Sequence, residues 1–490
     1  MTELKQRFQL MLLVATVFAV FYPTLSAEIS LVDDYGAILG VFNEDNFSIK
    51  NTFFPRSSEG GYYRPLIGVS YWLDKKAWFL HENLMHFESV VAHLVNAVLV
   101  YLICRKSLVL YKFSKNSWIP LLSSLLFALH PIVTESVNWI SGRTDIMMGN
   151  FILASVYLLL LYQTDKKKWQ LVLGILAGLV SILAKEAALG YIIGMPLLIY
   201  PIRHDISDDR LPRPECRLKF SPILFLLYFS SAVIIALLGL SYWMVLVICM
   251  LYLVNLCYKK SGFDLTCCKF SWFFSILLSL ALSISIFVVL RKLAFTSSVS
   301  KIGQTVSLML ADTGYTISLF IGAVGFYIKK FFLPLPLNFF ILEVNPLYDL
   351  FGIAVVLLCM HLLVNRNLAS VMAIIGFLLL LPALPFAFAT IAWTAYAERY
   401  IYLSTAFWII SAFLSTQHCS IWFEKHVSRL LFFSAVICIV AGVITYKRNQ
   451  VWQKNVTLIK DTITHSPKQR KLRDMRSEEH TSELQSRQVI

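Results

Sequence analysis

The chain has 490 residues, 58% of them hydrophobic and 15% charged, with a mean hydropathy of +0.68. Ordinary water-soluble proteins are about half apolar and a quarter charged, so the bilayer is the solvent for most of this one. The net charge of +14, from 43 Lys and Arg against 29 Asp and Glu, would raise the question of nucleic acid in a soluble protein; here no basic stripe interleaves with exposed aromatics, and no nucleic-acid partner is expected.

Apolar runs of spanning length recur from Phe8 to Tyr446. An unpaired backbone group is costly in lipid, so these runs are helices, and their lack of alternation excludes a barrel. The expected class is all-α: a polytopic helical membrane protein of about 12–14 transmembrane helices with a structured first external loop. The first run, Phe8 to Ala27, follows Lys5 and Arg7 and could pass for a cleaved signal peptide, but its length of roughly twenty residues favours a retained span with the amino terminus inside. Residues 28–85 form a polar loop rich in acids and in aromatics such as Tyr62, Tyr63, Tyr71, Trp72, Trp78 and Phe79, expected outside the cytoplasm and ordered as helices at the interface. Further spans are expected at 86–104, 119–138, 146–163, 169–184, 188–201, 221–239, 241–258, 271–290, 315–333, 348–364, 368–391, 400–416 and 430–446.

Basic residues collect in the gaps, at Arg105, Lys106, Lys112 and Lys115, at Lys166 to Lys168, at Arg203 to Lys219, and at Lys259, Lys260 and Lys269. That bias marks cytoplasmic loops and puts 28–85, 139–145 and 185–187 on the other side. The nine cysteines show neither a CxxC pair nor a regular spacing, so neither a disulfide framework nor a zinc site is supported. Residues 1–446 read as one transmembrane domain and 447–475 as a polar lead-in. The stretch Arg476 to Ser486 resembles the translation of a sequencing-library adapter, so 476–490 read as an artefactual tail.

The residues able to carry chemistry fall mostly in the loops assigned outside. Asp33-Asp34 could provide a general base, one carboxylate raising the pKa of the other, or a metal-ligand pair; acidic dipeptides are also common in loops. Arg64, in Tyr62-Tyr63-Arg64-Pro65-Leu66, suits a phosphate through its planar donors, and equally could snorkel to headgroups. The second span carries His86, Glu88, His93 and Asn96, with 86 and 93 two turns apart on one face. Ionisable groups in a membrane helix are functional candidates; helix-to-helix glue is favoured for Asn96, and His86, nearer the outer surface, is the better site residue. The densest stretch runs from Leu126 to Asp145, where His130-Pro131 should bend or break the helix and Glu135, Arg143 and Asp145 follow. Lys185-Glu186 reads either as an ion pair or as a phosphate-binding lysine, and Glu398-Arg399, in Tyr396-Ala397-Glu398-Arg399-Tyr400, leaves the same choice open.

Taken in order, these motifs resemble the GT-C membrane glycosyltransferases, specifically the transmembrane O-mannosyltransferase-like proteins that carry tetratricopeptide repeats and their bacterial relatives. The resemblance covers roughly residues 8 to 465 and is most specific from His130 to Asp145 and at Ala397-Glu398-Arg399-Tyr400. It implies transfer of a mannose-type sugar from a polyprenyl- or dolichyl-phosphate donor to a protein or glycan acceptor. The active site would face the periplasm or the lumen, in a bacterial inner membrane or the endoplasmic reticulum. Asp33 or Asp34 and Glu135 would then be catalytic, with Arg64, His86, His130, Arg143, Asp145, Lys185, Glu398 and Arg399 binding substrate. The implied partners are membrane lipid, the lipid-linked sugar and the acceptor. Members of the wider superfamily differ in metal use, and no spacing here demands one, so no metal ligand is assigned.

The resemblance also has a gap. Repeats should follow Pro467, after the lead-in Val451 to Leu458, yet no period of about 34 residues is present; with the adapter-like end, truncation is the simpler account. Two rivals stay open: a transporter or flippase for a lipid-linked substrate, with His, Glu and Lys lining its path, and a catalytically silent assembly protein of the same fold.

Overall fold

The computed structural model describes residues 3–34, 49–53, 63–110, 118–205, 301–365, 367–389, 394–417 and 420–466, with isolated positions at 38 and 285. The expected spans 221–239, 241–258 and 271–290, and the tail beyond 466, lie outside the described residues. The other expected spans fall on helical segments, with 119–138 broken into two helices and 368–391 helical over the described part, as far as Phe388. In chain order these are α1 (Glu3–Phe21), α2 (Ile49–Phe53), α3 (Pro65–Trp78), α4 (Glu82–Leu110), α5 (Ile119–Ala128), α6 (Thr134–Asn138), α7 (Arg143–Asp165) and α8 (Lys168–Val180). They continue as α9 (Ala188–Asp205), α10 (Lys301–Ala311), α11 (Thr313–Phe332), α12 (Tyr348–Asn365), α13 (Leu368–Leu380), α14 (Tyr402–Gln417), α15 (Ser420–Trp452) and α16 (Asn455–His465). Six of these helical stretches are long and apolar enough to cross a membrane, or seven if the bent pair at Pro131 counts as one. Among the described residues the only extended pairing is an isolated antiparallel bridge between Ile341 and Tyr396. The protein is an all-α, multi-pass membrane protein.

The buried face of α4 explains how the bundle closes. Met85, Ser89, His93, Asn96 and Val100 are buried at three- and four-residue intervals, one stripe of a helix, and its polar members bind neighbouring helices. Asn96 Nδ2 donates to Ile146 O at 2.9 Å and to the Tyr402 hydroxyl at 3.0 Å. His93 Nε2 lies 3.1 Å from Ala128 O, an acceptor, so that nitrogen carries the hydrogen and Nδ1 accepts from the Tyr402 hydroxyl at 2.7 Å. Both side chains join helices, the glue that lipid favours where hydrophobic contrast between helices is lost.

Pro131 bends the expected span 119–138 by 46°. Proline cannot donate, and its ring displaces the preceding turn, which frees carbonyls that lipid cannot satisfy. Side chains from other helices take them: His93 reaches Ala128 O, and Thr445 Oγ1 donates to Leu129 O at 2.7 Å. Elsewhere small residues let backbones meet. Gly325 of α11 lies against Tyr348 O of α12, where any Cβ would strike the carbonyl.

The loop before α4 contains an ordered helix, as its aromatics suggested. Pro65 starts α3, a position where its missing N–H costs nothing, and Ile67, Tyr71 and Asp74 are buried. The helix stops at Phe79, which adopts a left-handed φ of 54° and donates to the Asp74 and Lys75 carbonyls. After Tyr446 the chain does not leave the bundle: α15 continues to Trp452, and α16 seats Leu458 in an apolar cluster with Trp139, Phe339 and Trp452. Among the described residues, Lys106 faces Asp165 at 3.6 Å at the end where α4 and α7 finish, and the buried pairs Arg143–Asp74, Lys185–Asp145 and Arg399–Glu135 lie where α4 and α7 begin.

Candidate active site

Residues 139–142 link α6 to α7 and, with the first residues of α7 as far as Asp145, form the hub of that end. The turn is tight because Gly142 lies against the backbone of Ser136; a Cβ there would sit 2.7 Å from Ser136 O. The N–H groups of Ile140 and Ser141 face the Asp34 carboxylate: Ser141 N donates to Oδ1 at 2.9 Å and Ile140 N to Oδ2 at 3.3 Å. The Ser141 hydroxyl also donates to Oδ1. Asp34 is 1% exposed, and burial pushes its pKa up to about 7, with the Ser141 and Ile140 hydrogen bonds acting the other way. Asp33, by contrast, sits at a left-handed φ of 66° with its side chain exposed. The structure thus separates the Asp-Asp pair into an inward and an outward carboxylate.

Cations approach the same turn from its other side. Arg399 lies over the Trp139 ring, 4.7 Å from its centroid, and over Tyr400 at 5.0 Å, while its guanidinium and main-chain N–H bind Glu135. Lys185 Nζ meets both oxygens of Asp145 at 2.6 Å and lies 5.6 Å from the Tyr400 ring centroid. Burial pushes the Lys185 ammonium below the ordinary lysine value against the pull of Asp145, and the nearby Arg64 and Arg399 charges add to the push. Arg64 donates from Nε and Nη2 to Glu186 at 3.1 and 2.9 Å. Neither Lys185-Glu186 nor Glu398-Arg399 is therefore an internal pair; all four residues bind partners remote in sequence.

The other expected site residues are placed as follows. Arg143 is buried, 2.6 Å from Asp74, 3.2 Å from Glu88 and 3.2 Å from Met85 O, with the Tyr71 ring 5.2 Å from its guanidinium carbon. It fastens α3 to α4 and α7. Glu398 accepts from Lys330 at 2.6 Å and from Asn338 N at 2.9 Å, which ties the 334–338 segment to the Arg399 turn. His130 binds only backbone, Nε2 to Phe331 O at 2.9 Å and Nδ1 to Ile132 N at 3.3 Å, and stacks on Phe331. His86 is buried, its ring turned toward the backbone of Ala27 and Glu28 without a well-formed hydrogen bond. Asp34, Arg64, Glu135, Asp145, Lys185 and Arg399 gather around the 139–145 turn and Tyr400, while His130 is engaged at the helix break.

Five residues that shape the site went unselected in the sequence: Asp74, Trp139, Ser141, Lys330 and Tyr400. Asp74 and Lys330 had a readable signal, since each is a charge at the end of an apolar run and needs a partner when buried. Trp139, Ser141 and Tyr400 offered none beyond adjacency to selected residues. Among the described residues, no group of three or more His, Cys, Asp or Glu side chains is arranged to hold a metal ion.

No family model matches the chain. A Caenorhabditis elegans protein O-mannosyl-transferase is 29% identical over 168 residues, which are 34% of this chain and 21% of that protein. A human protein O-mannosyl-transferase is 30% identical over 158 residues, 30% of this chain and 16% of that one. The chain resembles the protein O-mannosyl-transferases. A Drosophila melanogaster member, 27% identical over 154 residues and covered over 17% of its length, repeats the likeness, so the resemblance does not rest on one sequence. The matched stretch spans about a fifth or less of each of these proteins.

Proposed function

We propose that the protein is a glycosyltransferase that moves a mannose-type sugar from a polyprenyl- or dolichyl-phosphate donor to a protein or glycan hydroxyl, at the non-cytoplasmic face of its membrane. The observation that carries this reading is the double use of the 139–145 turn. One side holds a buried carboxylate, Asp34, whose pKa lies near neutrality; the other meets Lys185 through Asp145 and Arg399 through Trp139.

Glycosyl transfer to a hydroxyl needs those two functions apart. The acceptor oxygen bonds to the anomeric carbon as the bond from that carbon to the phosphate oxygen breaks. The hydroxyl proton passes to Asp34, and the bonding pair leaves with the phosphate. A base with a pKa near the working pH takes a proton efficiently and still spends much of its time ionised. The charge gathered on the leaving phosphate is met by Lys185, Arg399 and Arg64 in a setting of low dielectric, where fixed cations stabilise it most. Lys185 uses two of its three ammonium hydrogens on Asp145, leaving one for a phosphate oxygen. Among the described residues, the buried pairs Lys185–Asp145, Arg399–Glu135, Arg143–Asp74 and Lys330–Glu398 lie toward one end of the bundle, which favours this reading over a transporter, whose polar groups would line a path across the bilayer.

The test uses the purified full chain in liposomes, supplied with radiolabelled polyprenyl-phosphate mannose or with the nucleotide sugar, and a hydroxyl-bearing acceptor peptide. Transfer from the lipid-linked donor alone is expected. Equal transfer from the nucleotide sugar, or none from the lipid, contradicts the proposal.

A further inference from the structure

The turn at Ile140 and Ser141 holds the Asp34 carboxylate from one side, and the six residues before it are held from the other by the start of α16. Asn455 is the centre of that grip. Its Oδ1 accepts from Leu31 N at 3.2 Å, its Nδ2 donates to Ile29 O at 2.9 Å, and its main-chain N–H donates to Glu28 Oε2 at 2.9 Å. Glu28 N in turn donates to Gln453 O at 3.0 Å. A side-chain amide offers one acceptor and two donors, and here it satisfies a carbonyl and an N–H two residues apart, as a neighbouring strand would.

The remainder of the strap is equally committed. Val32 N donates to Ser30 Oγ at 3.2 Å, and Val32 O receives both Trp139 Nε1 at 3.0 Å and Asp34 N at 2.9 Å. Only Asp33 takes up the turn, in a left-handed conformation that aspartate tolerates better than most residues. The grip at Asn455 is itself seated, because Trp452 and Leu458 pack with Trp139, the residue that Arg399 covers. The strap that carries the carboxylate is therefore held at both ends, and α16 supplies one of the two anchors.

We propose that Asn455 is a positioning residue for the Asp34 carboxylate, setting the register of residues 28–34 against the 139–145 turn. This rests on the reading of Asp34 as the base. The hydrogen bonds of Asn455 go to residues 28–31 and not to Lys185, Arg399 or Arg64, so its loss should move the base without altering the hold on donor phosphate. Displacement of a catalytic group by about an ångström can cost on the order of a hundredfold in rate.

The experiment measures transfer from polyprenyl-phosphate mannose by the full chain, with folded yield and melting in detergent followed in parallel. Asn455→Ala should lower kcat about tenfold or more while leaving the donor KM and the folded yield close to the parent. Asn455→Asp, which cannot donate to Ile29 O and sets a carboxylate against Glu28, should lose as much. Parental kcat in Asn455→Ala or in Asn455→Asp, or a loss that tracks unfolded protein, overturns the proposal. An inactive Asp34→Asn beside a fully active Asn455→Ala removes the positioning role alone, whereas an active Asp34→Asn removes the base on which it rests.

Discussion

Ser141 grips one oxygen of Asp34 twice, through its main-chain N–H at 2.9 Å and through its hydroxyl. The hydroxyl bond opposes the effect of burial on the carboxylate. Ser141→Ala should therefore raise the Asp34 pKa above about 7 and shift the acid limb of the pH–rate profile to higher pH, with the alkaline plateau largely kept; Ser141→Thr should restore the parental profile. The check is kcat against pH for the three proteins, and an unmoved limb in Ser141→Ala removes the serine from control of the base.

The same carboxylate should trade stability for activity. Its folded-state pKa of about 7 exceeds the ordinary 3.8, so the fold binds this proton more tightly than the unfolded chain does. The contribution of this group to stability is fully present below 3.8 and is lost as pH rises through about 7, by roughly 4 kcal/mol for a shift of this size. Asp34→Asn, which cannot ionise, should melt above the parent at alkaline pH, and the gap should close on acidification. Thermal unfolding in detergent across pH measures this. An Asp34→Asn variant less stable than the parent at alkaline pH would contradict it.

Glu135 and Arg399 test structural against functional need. Both are buried and paired, and removing one member of such a pair costs roughly 3–5 kcal/mol because the other charge is left uncompensated. Glu135→Leu and Arg399→Met should each lower the melting temperature and the yield of folded protein. The double variant should recover much of both yet transfer no sugar. A double variant no more stable than the singles would show that the pair is not what makes each loss costly.

Lys185 and Arg143 should separate cleanly. Lys185→Met, made together with Asp145→Asn so that no buried charge is stranded, should lower kcat/KM for the lipid donor about ten- to a hundredfold, the scale of one hydrogen bond to a charged group, with folding kept. Arg143→Met should instead loosen α3 from Asp74 and Met85. Limited proteolysis near residues 63–81, set beside donor kinetics, distinguishes the two outcomes, and matching phenotypes would sink the assignment.

Much of the helical frame was legible because apolar length dictates helix in lipid, and the break at Pro131 follows from proline's missing N–H. The site was legible as a set of residue types and not as pairings. Lys185 stands beside Glu186 in sequence, yet its partner is Asp145 and that of Glu186 is Arg64, because adjacent side chains at a turn point apart and long-range packing chooses among acids. His130 illustrates the converse error of emphasis: its setting suggested substrate, but a helix break leaves backbone groups to satisfy, and both of its ring nitrogens serve them. Asp33 and Asp34 could not be ranked from sequence, since their difference lies in one left-handed φ.

The central claim is that Asp34, held on the 139–145 turn, is the base for sugar transfer. It is tested most directly by the rate of transfer from polyprenyl-phosphate mannose in Asp34→Asn, with donor binding measured on the same protein. Intact donor binding with transfer lowered by a factor on the order of a hundred or more is expected; donor binding and transfer both at the parental level would contradict a base role for Asp34.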